Sequence, residues 1–268
     1  MNKFSLKNKV VIITGAAGLM AKQHISVVLE NGGIPVLIDV DKLKLTRQIN
    51  FFKKEYPNKK IYFFILDITK ESNVYSCSKK ILRELKRVDI LINNAAINYP
   101  MSSKKNKKFL LENFDTKIWD IDLSVGLKGS LICTKIFGSI MARNKKGVIL
   151  NIASDLALIS PDNRLYNNGK ISNVKPVSYS VVKHGIIGLT KYTATYWANR
   201  GVRCNAFAPG GIINNQSKKF LNKIKKLIPL ERLAYDGEYK ETILYLISDA
   251  SSYMNGSVVS VDGGRTVL

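Results

Sequence analysis

Seven short apolar runs punctuate the chain, at 10–14, 35–40, 61–66, 88–93, 148–152, 202–208 and 258–261. Each has the length of a strand, and most lack the in-out alternation of a sheet with one wet face, so they predict strands covered on both sides. The stretches between them change to a helical period. Ala21, Ile25, Val28 and Leu29 follow the i, i+4, i+7, i+8 spacing of a buried stripe, and Gly32-Gly33 stops that helix where a left-handed cap is needed. Longer helices are predicted over 115–143 and 178–199, the second closed by Gly201. Strand and helix alternate throughout, which specifies an α/β fold of the doubly wound type, with a seven-stranded parallel sheet and helices on both faces. No repeat or linker divides the 268 residues, so a single domain over 1–268 is expected, interrupted by an insertion at about 160–177.

A chain of this length buries a core without metals or disulfides. Cys77, Cys133 and Cys204 are odd in number and widely spread among apolar neighbours, and they read as reduced core thiols; no metal site is suggested. The charge changes the picture more. Lys and Arg number 42 against 20 Asp and Glu, a net +22, which suits nucleic acid, an anionic membrane or an anionic substrate. No nucleic-acid motif accompanies the charge, no apolar run approaches a membrane span, and Met1 leads almost directly into the first strand without room for a signal peptide. The expectation is a cytoplasmic protein whose lysines mostly solvate helix faces, and whose partner is a small polar, anionic molecule and neither nucleic acid nor membrane. Two irregular basic segments follow strands at their carboxyl ends, where open α/β sheets bind ligands. One is 98–113, with Lys104-Lys105-Asn106-Lys107-Lys108; the other is 160–177, with Arg164, Lys170 and Lys175.

The candidate chemistry begins at Thr14-Gly15-Ala16-Ala17-Gly18-Leu19-Met20-Ala21, a strand end, tight turn and helix start in sequence. Gly15 and Gly18 permit the turn, and the free amides around Leu19 and Met20 at the helix start suit a pyrophosphate. Asp39 ends the next strand, 24 residues beyond Gly15. A carboxylate there accepts bonds from both ribose hydroxyls and repels a 2′-phosphate, which favours NAD over NADP; Val40 supplies no compensating cation. Farther along, Tyr179 and Lys183 stand one turn apart on one helix face. An ammonium there is expected to favour the ionised phenol, whose ordinary pKa near 10 is too high for a base at neutral pH.

With these residues in place, Asn93-Asn94-Ala95-Ala96, Asn151-Ile152-Ala153-Ser154, Tyr179-Ser180-Val181-Val182-Lys183, Pro209-Gly210 and Val261-Asp262-Gly263-Gly264 occur in the order of the short-chain dehydrogenase/reductase family, which the chain resembles over nearly its whole length. The resemblance implies a single-domain Rossmann fold and an NAD-linked alcohol/ketone oxidoreductase. It assigns catalysis to Ser154, Tyr179 and Lys183, adenine contacts to Asp67 and Ile68, ribose contacts to Asn94, Ala95, Ala96 and Lys183, and the nicotinamide side to Tyr179, Pro209, Gly210 and Ile212. His24 and His184 match no catalytic position. The family's long helices pair subunits, which implies a homodimer or homotetramer.

Three positions depart from the family pattern. Leu19 or Ala21 stands where a glycine is usual, depending on the register taken; Gly126 replaces a catalytic Asn; Asn214 replaces a Thr beside the nicotinamide carboxamide. Gly126 is expected to leave room, so that either a water held by its own carbonyl keeps the proton relay or the reaction is slow. Ser154 and Tyr179 are 25 residues apart, and the surplus forms a basic lid. Together with the Asp262-Gly263-Gly264-Arg265 ending, these features resemble the bacterial oxidoreductases of surface-sugar biosynthesis and flagellin modification, so a sugar, sugar phosphate or nucleotide sugar is the expected substrate. A 3-oxoacyl carrier-protein reductase and a non-catalytic NAD-binding protein are the alternatives. Asp39 and the lid count against the first, and the intact Ser154, Tyr179 and Lys183 against the second.

Overall fold

A computed structural model describes residues 2–99, 107–167 and 173–268. The seven apolar runs form one parallel sheet in the order β3-β2-β1-β4-β5-β6-β7. Its strands are β1 (Val10–Thr14), β2 (Ile34–Asp39), β3 (Tyr62–Ile65), β4 (Ile90–Asn93), β5 (Gly147–Ile152), β6 (Val202–Pro209) and β7 (Val258–Val261). The central strands β1, β4 and β5 are buried at every position, as their unbroken apolar runs require. Tyr62-Phe63-Phe64-Ile65 instead alternates between half-buried and exposed, because β3 is an edge strand.

Successive residues of β1 feed opposite layers. Val11 and Ile13 pack with Ala21, Ile25, Val28 and Leu29 of α1 (Leu19–Glu30), and with Leu45, Ile49 and Phe52 of α2 (Lys42–Glu55). Val10 and Ile12 face the layer that holds Val74, Cys77 and Ile81 of α3 (Glu71–Leu85) and Cys133, Phe137 and Met141 of α4 (Thr116–Arg143). The other helices are α5 (Val177–Tyr196), α6 (Lys218–Ile224) and α7 (Lys240–Ile247). The three cysteines are free and buried in the second layer, as expected.

Two details differ from the sequence reading. By length and composition α4 is apolar enough to cross a membrane, yet Ile132, Cys133, Phe137 and Met141 lie against the sheet, which makes it a core helix. It also widens twice into π turns, at Ser124–Lys128 and Thr134–Gly138. The second long helix is shorter than expected; a 3-10 turn, Ala198–Arg200, follows it and ends at left-handed Gly201. Between β1 and β4 the strand order reverses, and connections leave in opposite directions. This opens a crevice at the carboxyl edge of the sheet.

Candidate active site

A cleft of about 1770 Å³ occupies that edge. Gly15, Gly18, Leu19 and Met20 line it from the β1-α1 turn, Asp39 from the end of β2, and Asn94 and Ala96 from the segment after β4. Ser154 follows β5, Tyr179 and Lys183 project from α5, and Pro209, Gly210 and Ile212 follow β6. Asp67, Ile68 and Ala95 lie outside its walls. Asp67 turns back to accept bonds from the Thr69 amide and hydroxyl, Ile68 is buried against Gly129 of α4, and Ala95 supports the glycine turn from behind. Lys104, Lys105, Asn106 and Lys170 fall outside the described residues.

The turn is built for close approach. Gly15 has φ +62°, and a Cβ there would stand 2.7 Å from the Ala95 Cα. Asn94 donates to the carbonyls of Thr14 and Gly15 at 3.0 Å each, while the Thr14 hydroxyl accepts from the amides of Asn94 and Ala95. Gly18 caps α1 without a side-chain bond, leaving helix-terminal amides for an anion. Asp39 is held by the amides of Ala17 at 2.8 Å and Asp41 at 2.9 Å. Lys44 is a cation near this end that the sequence reading missed, but it is paired with Asp41 at 2.9 Å. A dinucleotide fits these features: a tight glycine turn that leads into helix-terminal amides facing the cleft, and a fixed carboxylate at one end.

At the other end, Lys183 is buried and donates to the Ile152 carbonyl at 2.8 Å; its Nζ lies 5.8 Å from the centroid of the Tyr179 ring. Burial pulls the Lys183 ammonium down to about 8. Burial likewise pushes the Tyr179 phenol up to about 12, against the opposing effect of a hydrogen bond with Ser154. This corrects the expectation of a lowered phenol pKa. In the protein alone desolvation dominates the phenol, while the Lys183 ammonium is itself desolvated and engaged by a carbonyl.

Ser154 follows β5 and caps a short 3-10 turn, accepting from the Leu156 amide at 3.2 Å and donating to Asp155 Oδ1 at 2.8 Å. Asp155 in turn meets Arg265 at 2.5 Å, in an ion pair whose side chains are 5% and 9% exposed. Lys175, four residues before Tyr179, places its Nζ 4.0 Å from the Tyr179 ring centroid and donates to Asn98 Oδ1. Under the sheet edge, Asn93 Nδ2 donates to Asn151 Oδ1 at 2.8 Å and Asn151 Nδ2 to the Thr190 hydroxyl at 2.9 Å, tying β4, β5 and α5 together. Asp122, buried on α4, accepts from Ser178 Oγ at 2.5 Å and from the Tyr99 hydroxyl at 3.0 Å, which latches α4 to α5 beside Tyr179.

Gly126 does not leave the expected room. A Cβ there would sit 2.4 Å from Val182 Cγ1, and its carbonyl already accepts the Ser130 hydroxyl at 2.8 Å. Val182 thus fills the space that an Asn side chain would need. Gly126→Asn is expected to destabilise the fold by about 1–3 kcal/mol through overpacking. Urea denaturation checks this, and Val182→Ala in the same chain should recover much of the loss.

The histidines lie outside the cleft walls. His24 is buried against Asn94 Oδ1 at 3.2 Å, and burial lowers it to about 4; exposed His184 meets the Ser180 carbonyl. In the insertion, exposed Arg164 is committed to Asp162 at 2.7 Å, so that cation does not stand free to clamp a phosphate. Tyr166 stacks on Phe220 of α6, anchoring this part of the lid. The Asn214 amide N–H donates to Gln216 Oε1 at 2.6 Å on the cleft wall.

The fold and site define a Rossmann-type α/β oxidoreductase. A family model described as enoyl-(acyl carrier protein) reductase matches residues 15–266. The chain belongs to the short-chain dehydrogenase/reductase family, whose members oxidise alcohols or reduce carbonyls. It is 30% identical to the 3-oxoacyl-(acyl-carrier-protein) reductase of Thermotoga maritima over 98% of this chain and 99% of that one. The post-translational flagellin modification protein A of Campylobacter coli is 27% identical, over 97% and 98% of the two chains. Among solved structures, one from Haemophilus influenza with bound NAD, provisionally named a D-mannonate oxidoreductase, superposes with a TM-score of 0.83 at 25% identity, covering 98% and 96% of the two chains.

Proposed function

We propose that this chain is an NAD(H)-dependent oxidoreductase acting in the cytoplasm, which interconverts a secondary alcohol and a ketone on a sugar, sugar phosphate or nucleotide sugar in surface-glycan biosynthesis. The observation that carries the reading is one continuous cleft with Asp39 fixed at one end and Ser154, Tyr179 and Lys183 gathered at the other. Asp39 accepts the adenosine ribose hydroxyls, the amides of Leu19 and Met20 at the start of α1 hold the pyrophosphate, and Asp67 and Ile68 stand behind the adenine, outside the cleft wall. Asn94, Ala95 and Ala96 flank the second ribose, whose hydroxyls Lys183 bonds, and Pro209, Gly210 and Ile212 back the nicotinamide. When bound, the nicotinamide supplies or accepts a hydride.

Ser154 holds the substrate oxygen, and the Tyr179 phenol gives it a proton in reduction or takes one in oxidation. The raised pKa of Tyr179 keeps the phenol protonated at neutral pH in the protein alone, the form from which it gives a proton in reduction. Oxidation requires the phenolate, so its rate is expected to rise with pH while reduction is favoured at lower pH. The flagellin-modification relative and the polar cleft residues Asn98, Asn173 and Lys175 support a hydroxylated substrate.

Asp39→Ala is expected to cut the preference for NADH over NADPH at least tenfold, a change of about 1.4 kcal/mol or more. Fluorescence titration of both nucleotides checks it, and equal affinity in the unmutated protein removes the ribose assignment. A second reading, a 3-oxoacyl carrier-protein reductase, draws support from the Thermotoga relative and the basic surface. Turnover of sugar phosphates and nucleotide sugars, set against acetoacetyl thioesters, separates the two. Ile121 and Leu131 on α4, with Tyr192 and Tyr196 on α5, expose apolar surface that supports a homodimer or homotetramer.

A further inference from the structure

Cations around the substrate end of the cleft differ in what already holds them. Arg265 is consumed by Asp155 at 2.5 Å, Lys183 donates to the Ile152 carbonyl, and Lys107 and Lys219 are exposed to water. Lys175 is different. It is only half-buried, its Nζ lies 4.0 Å from the Tyr179 ring centroid, and its hydrogen-bond partner is the neutral amide of Asn98. No carboxylate among the described residues comes within ion-pair distance of it. Asp155, the acid nearest the catalytic serine, is already matched by Arg265, and Asp122 by the hydroxyls of Ser178 and Tyr99. A partly desolvated ammonium on an aromatic face beside a neutral amide lacks the anion that such a group ordinarily has.

Resting on the oxidoreductase reading above, we infer that Lys175 is a specificity residue that binds an anionic oxygen group, carboxylate or phosphate, carried by the substrate close to its reacting carbon. The placement sets the chemistry. The reacting oxygen must reach the Tyr179 phenol, and Lys175 stands over that same ring, so the anion belongs at the reacting end of the substrate and not on a distant arm. Asn98 Oδ1 accepts one ammonium hydrogen and orients the others toward the cleft. Burial, which draws the Lys175 ammonium down to about 8, is offset when an anion arrives, so anion binding should weaken as pH rises past that value.

The test titrates malonate and, separately, inorganic phosphate into the enzyme-NADH complex at pH 7, following nucleotide fluorescence, for the unmutated protein, Lys175→Met and Lys175→Arg. The expected result is saturable binding that falls at least tenfold in Lys175→Met and is largely kept in Lys175→Arg, with NADH affinity reporting that the variants are folded. Malonate alone responding assigns a hydroxy-acid substrate, and phosphate alone a sugar phosphate. Absence of binding by both anions, or equal binding in Lys175→Met, overturns the inference. Turnover of neutral polyols, sugar acids and sugar phosphates is measured in parallel. If none is oxidised while Lys175-dependent anion binding persists, the oxidoreductase reading fails and the anion site stands; if neutral polyols are used as well as anionic ones and the anions do not bind, the reverse holds.

Discussion

Replacing Tyr179 by Phe should lower kcat for alcohol oxidation and ketone reduction by about 10³-fold, within the range that general acid-base groups contribute. The substitution removes one oxygen from a ring whose body is fixed by Lys175 on one face and by its place on α5, so NADH affinity should change by less than about twofold. A pH profile gives the finer check. Burial raises the Tyr179 phenol to about 12 in the protein alone, and the neighbouring amines of Lys183 and Lys175 are each drawn down to about 8. Below pH 8 both amines carry charge and favour the phenolate; as pH climbs past 8 they lose it. The gain in oxidation rate on raising the pH is therefore expected to flatten above pH 8 and not continue with unit slope. A Tyr179→Phe enzyme with parental turnover would assign the proton transfer to another group.

The parts of this site that were legible in the sequence are those set by local period and local turn chemistry. Buried strands read as unbroken apolar runs, and the Ala21, Ile25, Val28 and Leu29 stripe identified the face of α1 that packs on β1. Gly15 and Gly18 announced the turn because a side chain at Gly15 would collide with Ala95. Tyr179 and Lys183 were legible as neighbours on one face through the helical repeat, and as a catalytic pair through the order of the family motifs around them. What escaped the sequence depends on contacts across long separations or on desolvation. Asp155 and Arg265 are 110 residues apart and meet only because β5 and the segment after β7 end side by side at the same edge. Lys175 lies one helical turn before Tyr179, but Pro176 and the start of α5 at Val177 intervene, so its place over the ring follows from loop packing and not from the helix repeat. The rise in the Tyr179 pKa was likewise hidden, since spacing reports the neighbouring ammonium and not the water excluded from the phenol. Gly126 shows the same limit: the missing Asn was visible, whereas Val182 occupying its space was not.

Breaking the Asp155-Arg265 pair should have the largest effect on stability. Arg265→Met keeps much of the side-chain volume but leaves the Asp155 carboxylate, 5% exposed, without its cation; removal of one partner from such a pair costs about 3–5 kcal/mol. Urea denaturation at pH 7 should show that loss as a lower midpoint. Asp155→Asn combined with Arg265→Met removes both charges and should recover most of it, because the larger part of the cost is the stranded anion. The pair also reaches the chemistry. Asp155 Oδ1 accepts the Ser154 hydroxyl at 2.8 Å and the Leu156 amide at 2.8 Å, while Arg265 holds its other oxygen. Without the guanidinium the carboxylate is free to rotate, and the Ser154 hydroxyl loses the fixed acceptor that orients it toward the cleft. Arg265→Met should therefore lower kcat about tenfold or more even under conditions where the variant is fully folded, with NADH affinity preserved. A stability loss under about 1 kcal/mol would mean that solvent reaches the pair. A kcat unchanged in the folded variant would confine Arg265 to a structural part and leave Ser154 oriented by the Leu156 amide alone.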